Sequence, residues 1–392
     1  MYHHRISLLL PVLALLVLLA SCGVPETEPG PADGRLLSAN WSDTLSVDYA
    51  EGFRLEYRGS YKLLEVLNPY QDRTDTLRYV LRPRGSEVRP DIEGARYIDV
   101  PVRRMIATST THVGLTGILK AHDVLVGMVG AEYIYAPEVR RRLASGEIVS
   151  FPQGEFNMEQ ALAMAPDLVM VSAGQSSQLD DYRVLLDSGI GVLVNAEWLE
   201  TTPLGKAEWM KVMGALLNRE EMARRSFAGV EEQYLKLKRM AGQVENRPLV
   251  INNAPYKGAW FVSSGGSFTA QYLRDAGASY PWYHTEGTGG LRLTFERVYE
   301  VGLRADVWLN PGAARNLEEL MGQDARFRDF RPVEQGRVYN NNRRMGPTGG
   351  NDFWESGVVH PERVLADLVK ILHPGLLPGH ELVYYRELEE SR

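Results

Sequence analysis

Apolar and polar positions change rhythm several times along the chain. Ile6 to Leu19 is an apolar run interrupted only by Ser7 and Pro11. Gly23 to Asp33 (GVPETEPGPAD) has no apolar periodicity, and because Pro, Gly and acid offer nothing to bury, residues 22–40 read as a flexible tether. From Trp41 to Arg84 apolar residues alternate in short runs, with the turn pairs Gly59-Ser60 and Asn68-Pro69 between them. Period-two patterning between turns predicts two or three strands of a small antiparallel sheet, assigned to 41–95.

From about Arg96 the pattern is different. Apolar runs starting at Arg104, Val124, Asp167 and Gly191 read as strands, with helices near Val113–Ala121, Pro137–Leu143, Met158–Ala165 and Leu179–Asp187 between them. Such alternation implies parallel βαβ units, one α/β lobe over 96–200. Pro203 to Gly242 has helical spacing throughout, with bends expected at Gly214 and Asn218. Unbroken, about forty residues would make a rod of ~60 Å. The α/β rhythm then resumes and ends on a helix at Pro361–Leu372. The expected fold is therefore α/β: two Rossmann-like lobes, 96–200 and 247–392, joined by one long helix over 201–246. A single helical joint is stiff, so large hinge closure is not expected.

Composition narrows the function classes. A chain of 392 residues, 44% hydrophobic and 24% charged, is globular in type and excludes a disordered or polytopic membrane protein. Lys+Arg 43 against Asp+Glu 50 gives a net charge of −7 without a basic tail, so no nucleic-acid partner is expected. One cysteine excludes an internal disulfide, a CxxC zinc site and an iron–sulfur cluster. That cysteine, Cys22, follows the apolar run in Leu19-Ala20-Ser21-Cys22-Gly23. The run is short of the ~20 residues a spanning helix needs, and residues 1–21 read as a secretory signal. Small residues before a cysteine resemble a bacterial lipobox, which implies cleavage ahead of Cys22 and attachment of palmitate-like acyl chains to its thiol. The expected location is the cell envelope, lipid-anchored and extracytoplasmic, on the periplasmic side.

A weak internal repeat links the lobes. Asn157-Met158-Glu159 opens a helix that leads to the strand at Asp167, and Thr294-Phe295-Glu296 opens one that leads to the strand at Asp306. Asn and Thr are good N-caps. A capping box wants Glu three residues past the cap; here it is two past, so both carboxylates are expected to point outward.

These segments carry a resemblance. The lipobox, RRMIATSTTHVGLTGILKAHDVLVGMVG, GEFNMEQALAMAPDLVMV, the long helix, LTFERVYEVGLRADVWLN and HPERVLADLVKILHP together resemble the substrate-binding proteins of ABC importers. More narrowly, they are similar to the rigid-helix class that takes up ferric siderophores, haem and cobalamin. The resemblance spans roughly 96–375. It implies a monomeric carrier with a ligand cleft between the lobes, no resident cofactor, and an iron complex or corrinoid as cargo. It also implies partnership with a permease and its ATPase subunits, docked through Glu159 and Glu296 on permease arginines.

Loops after the strands should line the cleft. The candidates are His112, Tyr133, Tyr135, Trp260, Trp282, Tyr283, Arg292, Arg343, Arg344, Phe353 and Trp354. Aromatics and arginines suit a large anionic or conjugated ligand. His112 could ligate a metal or simply start a helix, and no metal site is expected. No GxSxG elbow, P-loop, HExxH or GxGxxG context occurs, so no enzyme is expected. The rivals are a lipid-anchored hydrolase using Asp352, Glu355 and His360, or a surface scaffold lipoprotein.

Overall fold

The computed structural model describes residues 44–390 apart from Gln175. Cys22, the signal segment and the tether lie outside the described residues.

The chain starts with a four-stranded sheet, β1 (Phe53–Arg58), β2 (Tyr61–Leu67), β3 (Thr76–Pro83) and β4 (Arg96–Val100), in that order. β1 to β3 are antiparallel, as the alternation predicts, and β4 lies parallel to β3. The 41–95 assignment therefore ends too early. Arg96–Val100 belongs to the small sheet rather than to the first lobe.

The first lobe holds five parallel strands, β5 (Met105–Ala107), β6 (Leu125–Val129), β7 (Val149–Phe151), β8 (Leu168–Ser172) and β9 (Gly191–Asn195), ordered β7-β6-β5-β8-β9. Its helices are α1 (Thr110–Ile118), α2 (Pro137–Ala144), α3 (Met158–Ala163) and α4 (Arg183–Asp187). β9 is buried at every position, as an unbroken apolar run in a parallel sheet requires. β7, with only three residues, has no legible signal in the sequence.

The expected single rod is three helices, α5 (Pro203–Glu208), α6 (Met210–Leu217) and α7 (Glu220–Gly242). Asn218 enters the left-handed region at φ 52° and ends α6. All eight residues of α6 are buried, which places this helix inside the molecule rather than along its outside. Only α7 is long, and it presents Ala223, Phe227, Val230 and Tyr234 inward at spacings of four, three and four.

The second lobe builds its parallel sheet from β10 (Val250–Asn252), with β11 (Pro255–Tyr256), β12 (Ala259–Ser263) and β13 (Gly290–Leu293) forming a separate antiparallel sheet beside it. β14 (Val307–Leu309) and β15 (Val338–Asn340) extend the β10 sheet, and β16 (Arg386–Glu387) from the acidic tail closes it antiparallel to β15. α8 (Phe268–Asp275), α9 (Phe295–Gly302), α10 (Leu317–Gln323), α11 (Arg331–Glu334) and α12 (Pro361–Leu372) cover it. Both lobes and the small sheet share one hydrophobic core.

The lobes also meet a second time, away from the helices. Residues 344–358 of the second lobe cross to the first: Thr348 Oγ1 donates to the Glu132 carbonyl at 2.7 Å, and Thr110 Oγ1 donates to the Trp354 carbonyl at 3.1 Å. Gly114 permits this approach, because a Cβ there would lie 2.2 Å from the Glu355 carbonyl oxygen. The joint is thus stiffened by a strap as well as by helices.

Candidate functional site: a cleft between the lobes

A cleft of about 1380 Å³ opens where the parallel strands of the second lobe end and where α1 begins. Ser109, which caps α1 through the Thr111 N–H, supplies one wall with Thr110 and Thr111. The opposite wall comes from strand ends, each finishing in asparagine: Asn252-Asn253 after β10, Asn310 after β14 and Asn340 to Asn342 after β15. Asn253 and Asn310 take left-handed φ values of 61° and 55°, which Asn tolerates better than most residues. Several of these amides are already used. Asn252 is bonded to Ser263 and to Tyr280, and Asn340 donates to the Gly312 and Ala314 carbonyls.

Charge in the cleft is opposite to that of the chain. Lys206, Arg315, Arg343 and Arg386 line it, against the single carboxylate Glu197. The Arg386 guanidinium is fixed by Asn342 Oδ1 at 2.8 Å and by the Arg315 carbonyl at 2.9 Å. Burial pushes the Glu197 carboxyl above the usual carboxylate range and pushes Lys206 below the usual lysine value. Exposed indoles stand on both sides, Trp198 in the first lobe and Trp354, half exposed at 50%, on the strap.

The candidate residues divide. Arg343, Phe353 and Trp354 line the cleft. Tyr133 lines a side hollow of about 320 Å³ that shares Ser109, Thr110 and Trp354 with it. Tyr135 lies under the Arg344 guanidinium, 5.0 Å away, and Arg344 is paired to Asp352 at 2.6 Å, so both serve the strap. Trp260 is completely buried among Phe295, Trp308, Phe327 and Phe330 and donates to the Asn252 carbonyl. It builds the second lobe's core instead of the cleft. Trp282 packs edge-on against Tyr280, Tyr283 lies under Arg274, and Arg292 is on the exposed face of β13; none lines the cleft.

His112 is on the inward face of α1, fully buried, with neither ring nitrogen bonded. Burial drives its pKa down to about 3, so the ring is neutral at ordinary pH. It does not reach the cleft lining. No group of three or more His, Cys, Asp or Glu that could hold a metal occurs among the described residues. Asp352, Glu355 and His360 engage different partners: Arg344, the Tyr135 and Ala136 N–H groups just before α2, and Glu362.

The paired glutamates are both exposed in the first turns of their helices, but they are not equivalent. At α3, Asn157 caps the Gln160 N–H and Glu159 is left free of that duty. At α9, Thr294 makes no side-chain cap. The Glu296 carboxylate is instead held below its usual range by its own backbone N–H and the Thr294 hydroxyl. It folds back toward the helix start rather than pointing wholly outward.

Two α/β lobes facing each other across a large cleft are the architecture of a solute-binding protein. Residues 108–342 match the family described as periplasmic binding protein. The chain belongs to that family, one of substrate-binding proteins and not of enzymes. An uncharacterised lipoprotein of Methanocaldococcus jannaschii is 26% identical over 303 residues, 74% of this chain and 70% of that protein. A periplasmic heme binding protein from Pseudomonas aeruginosa superposes with a TM-score of 0.54 at 16% identity, covering 74% of this chain and 99% of that one. A structure from Saccharomonospora viridis, described as an ABC-type Fe3+-hydroxamate transport system, gives a TM-score of 0.52 at 18% identity, covering 70% and 94%. The family model starts after the small sheet and stops before the strap.

Sequence reasoning missed Glu197, Trp198, Lys206, Asn252, Asn310, Arg315 and Arg386. The asparagines carried a signal, since each closes an apolar strand at the end where α/β sheets bind ligands. Glu197 and Lys206 carried none, one being a charged residue in a short turn and the other a charged residue inside a short helix.

Proposed function

We propose that the chain is the lipid-anchored extracytoplasmic carrier of an ABC importer, capturing an anionic iron complex, a ferric siderophore or haem, and delivering it to a permease. The observation that carries this is the cleft. At about 1380 Å³ it exceeds the ~300–1,000 Å³ that small ligands occupy, and four cations oppose one carboxylate in a chain of net charge −7. The similar heme binding and Fe3+-hydroxamate transport proteins support an iron complex as the cargo type. The deciding experiment titrates the purified chain with ferric siderophores, haem and cyanocobalamin, followed by absorbance. Stoichiometric binding of an iron complex that stays chemically unchanged is the expected result. Capture of cobalamin alone would replace the iron reading, and turnover of any ligand would end the carrier reading.

Cys22 is the anchor in this scheme, and Cys22→Ala should leave the protein in the soluble fraction; membrane retention would refute it. Glu159 and Glu296 are the docking pair. Glu159→Ala with Glu296→Ala should abolish uptake while cargo affinity stays within about threefold, because exposed rim charges act on encounter. A large affinity loss in that variant would make them cleft residues instead.

A further inference from the structure

Three lysines are buried among the described residues, Lys62, Lys206 and Lys211. Two are fully engaged. Lys62 donates to the Ala215 carbonyl, Asn218 and Glu220, and Lys211 donates to the Ser46 carbonyl and Glu208. Lys206 is different. Its ammonium has no oxygen partner among the described residues; it rests over the Phe268 ring, 4.1 Å from the centroid, at the cleft floor.

The buried carboxylates divide in the same way. Glu200, Glu208, Glu220, Glu355 and Asp367 are bonded to N–H groups or lysine, Asp275 to Tyr234 and Lys238, and Asp352 to Arg344. Glu197, only 2% exposed, keeps Oε2 buried and unpartnered while the Thr111 hydroxyl and the backbone N–H groups of Glu197 and Trp198 serve the carboxyl group. Both orphans line the same cleft and feel each other's charge, yet no contact within 4.0 Å joins them. Unpaired buried charge and unpaired buried acceptors are costly to the fold, so their coincidence needs a cause outside it.

We propose that Lys206 and Glu197 are the polar anchor of the cargo, which presents an oxyanion to the lysine and an O–H or N–H donor beside it to Glu197 Oε2. This rests on the reading of the cleft as the cargo site. It names the cargo as an acidic iron complex with free carboxylate or equivalent oxyanions, in preference to a cationic one. Both residues stand at the root of α5, where the first lobe passes into the connecting helices, so an occupant there touches the joint itself.

The test uses the purified protein with ferric citrate as the anionic probe and ferrioxamine B as the cationic one, read by quenching of tryptophan fluorescence. Lys206→Met should weaken ferric citrate by about 30-fold, the size of a lost charge-assisted hydrogen bond. Glu197→Leu should weaken it about tenfold, while Glu197→Gln, which keeps an acceptor, should stay within about threefold. Circular dichroism melting shows that each variant is folded. If wild type prefers ferrioxamine B, or folded Lys206→Met binds ferric citrate as wild type does, the anchor is wrong and the carrier reading stands. If neither complex nor haem binds wild type, the carrier reading falls and takes the anchor with it.

Discussion

Two of the places where the protein buries charge treat it in opposite ways. Where the small sheet meets the helices, the buried carboxylates and lysines are answered. Glu208 accepts the N–H groups of Asp48, Tyr49 and Ala50 at 2.9, 2.7 and 2.7 Å and pairs with Lys211, and Glu200 accepts from Glu51, Gly52 and the Trp209 indole. Lys62 crosses from β2 into the turn between α6 and α7. At the cleft floor Lys206 and Glu197 are left incomplete. A buried polar network that is fully satisfied fixes a structure, whereas one half satisfied weakens it. The first region is therefore structural, and the second waits for a partner from solution. Together they also give the small sheet a role: it clamps the helices that carry one edge of the cleft.

The largest effect should come from breaking the satisfied side. Lys62→Met leaves Glu220 buried without its cation and strands Asn218 at the turn that ends α6. Removing one partner of a buried pair costs about 3–5 kcal/mol. Urea unfolding should show a loss of that order, with cargo affinity in the surviving folded protein little changed. A loss under about 1 kcal/mol would mean the pair is neutral by the usual balance of desolvation against attraction.

Glu355 lies between the two extremes. Its carboxylate reaches from the strap to the first lobe and accepts the Tyr135 and Ala136 N–H groups at 2.7 and 2.9 Å, without a cation in contact. Burial, with the nearby Asp352 charge, pushes its pKa up to about 7, against the pull of those two N–H groups and of Arg140. The folded chain then binds a proton that the unfolded chain has already released between about pH 4.5 and 7. The sign follows: this contribution is fully present below about pH 4.5 and is lost as pH rises toward 7, a change on the order of 1–3 kcal/mol. Unfolding free energies across that window should decline in wild type and decline less in Glu355→Gln. Equal slopes would show that Glu355 is already ionised where it lies.

How much of this was readable depends on what a residue's neighbours in sequence can say. The alternation over 53–81, the apolar strands of both lobes and the helix at Pro361 were legible, because periodicity reports which face is buried. Strand β4 was misassigned because a five-residue run cannot show which sheet it joins. The bend expected at Asn218 is there, but Gly214 lies inside α6, and the break at Trp209 was missed because that residue fits the helical spacing. Trp260 and His112 show the limit at the site. Position after a strand or at a helix start placed them near the cleft, but side-chain direction is set by partners far away in sequence, and both turn into the core. Arg343 and Trp354 were found by the same rule because both stay at the cleft surface, Trp354 half exposed.

The smallest stability effect expected is also the sharpest test of the comparison. Lys206→Met removes a cation that has no oxygen partner and replaces it with an apolar chain of similar length beside Phe268. The lost cation–π attraction is worth about 0.5–2 kcal/mol, and the relief of burying an unpaired ammonium works against it. The two nearly cancel, so the cargo-free variant should unfold within about 1 kcal/mol of wild type, and on the stable side if the relief prevails. Lys62→Met and Lys206→Met are the same substitution at two buried lysines, and their stabilities should differ by several-fold in effect. If Lys206→Met is as damaging as Lys62→Met in the absence of cargo, the cleft floor is a structural network after all. In that case the unsatisfied Glu197 oxygen is answered by water rather than kept for a ligand.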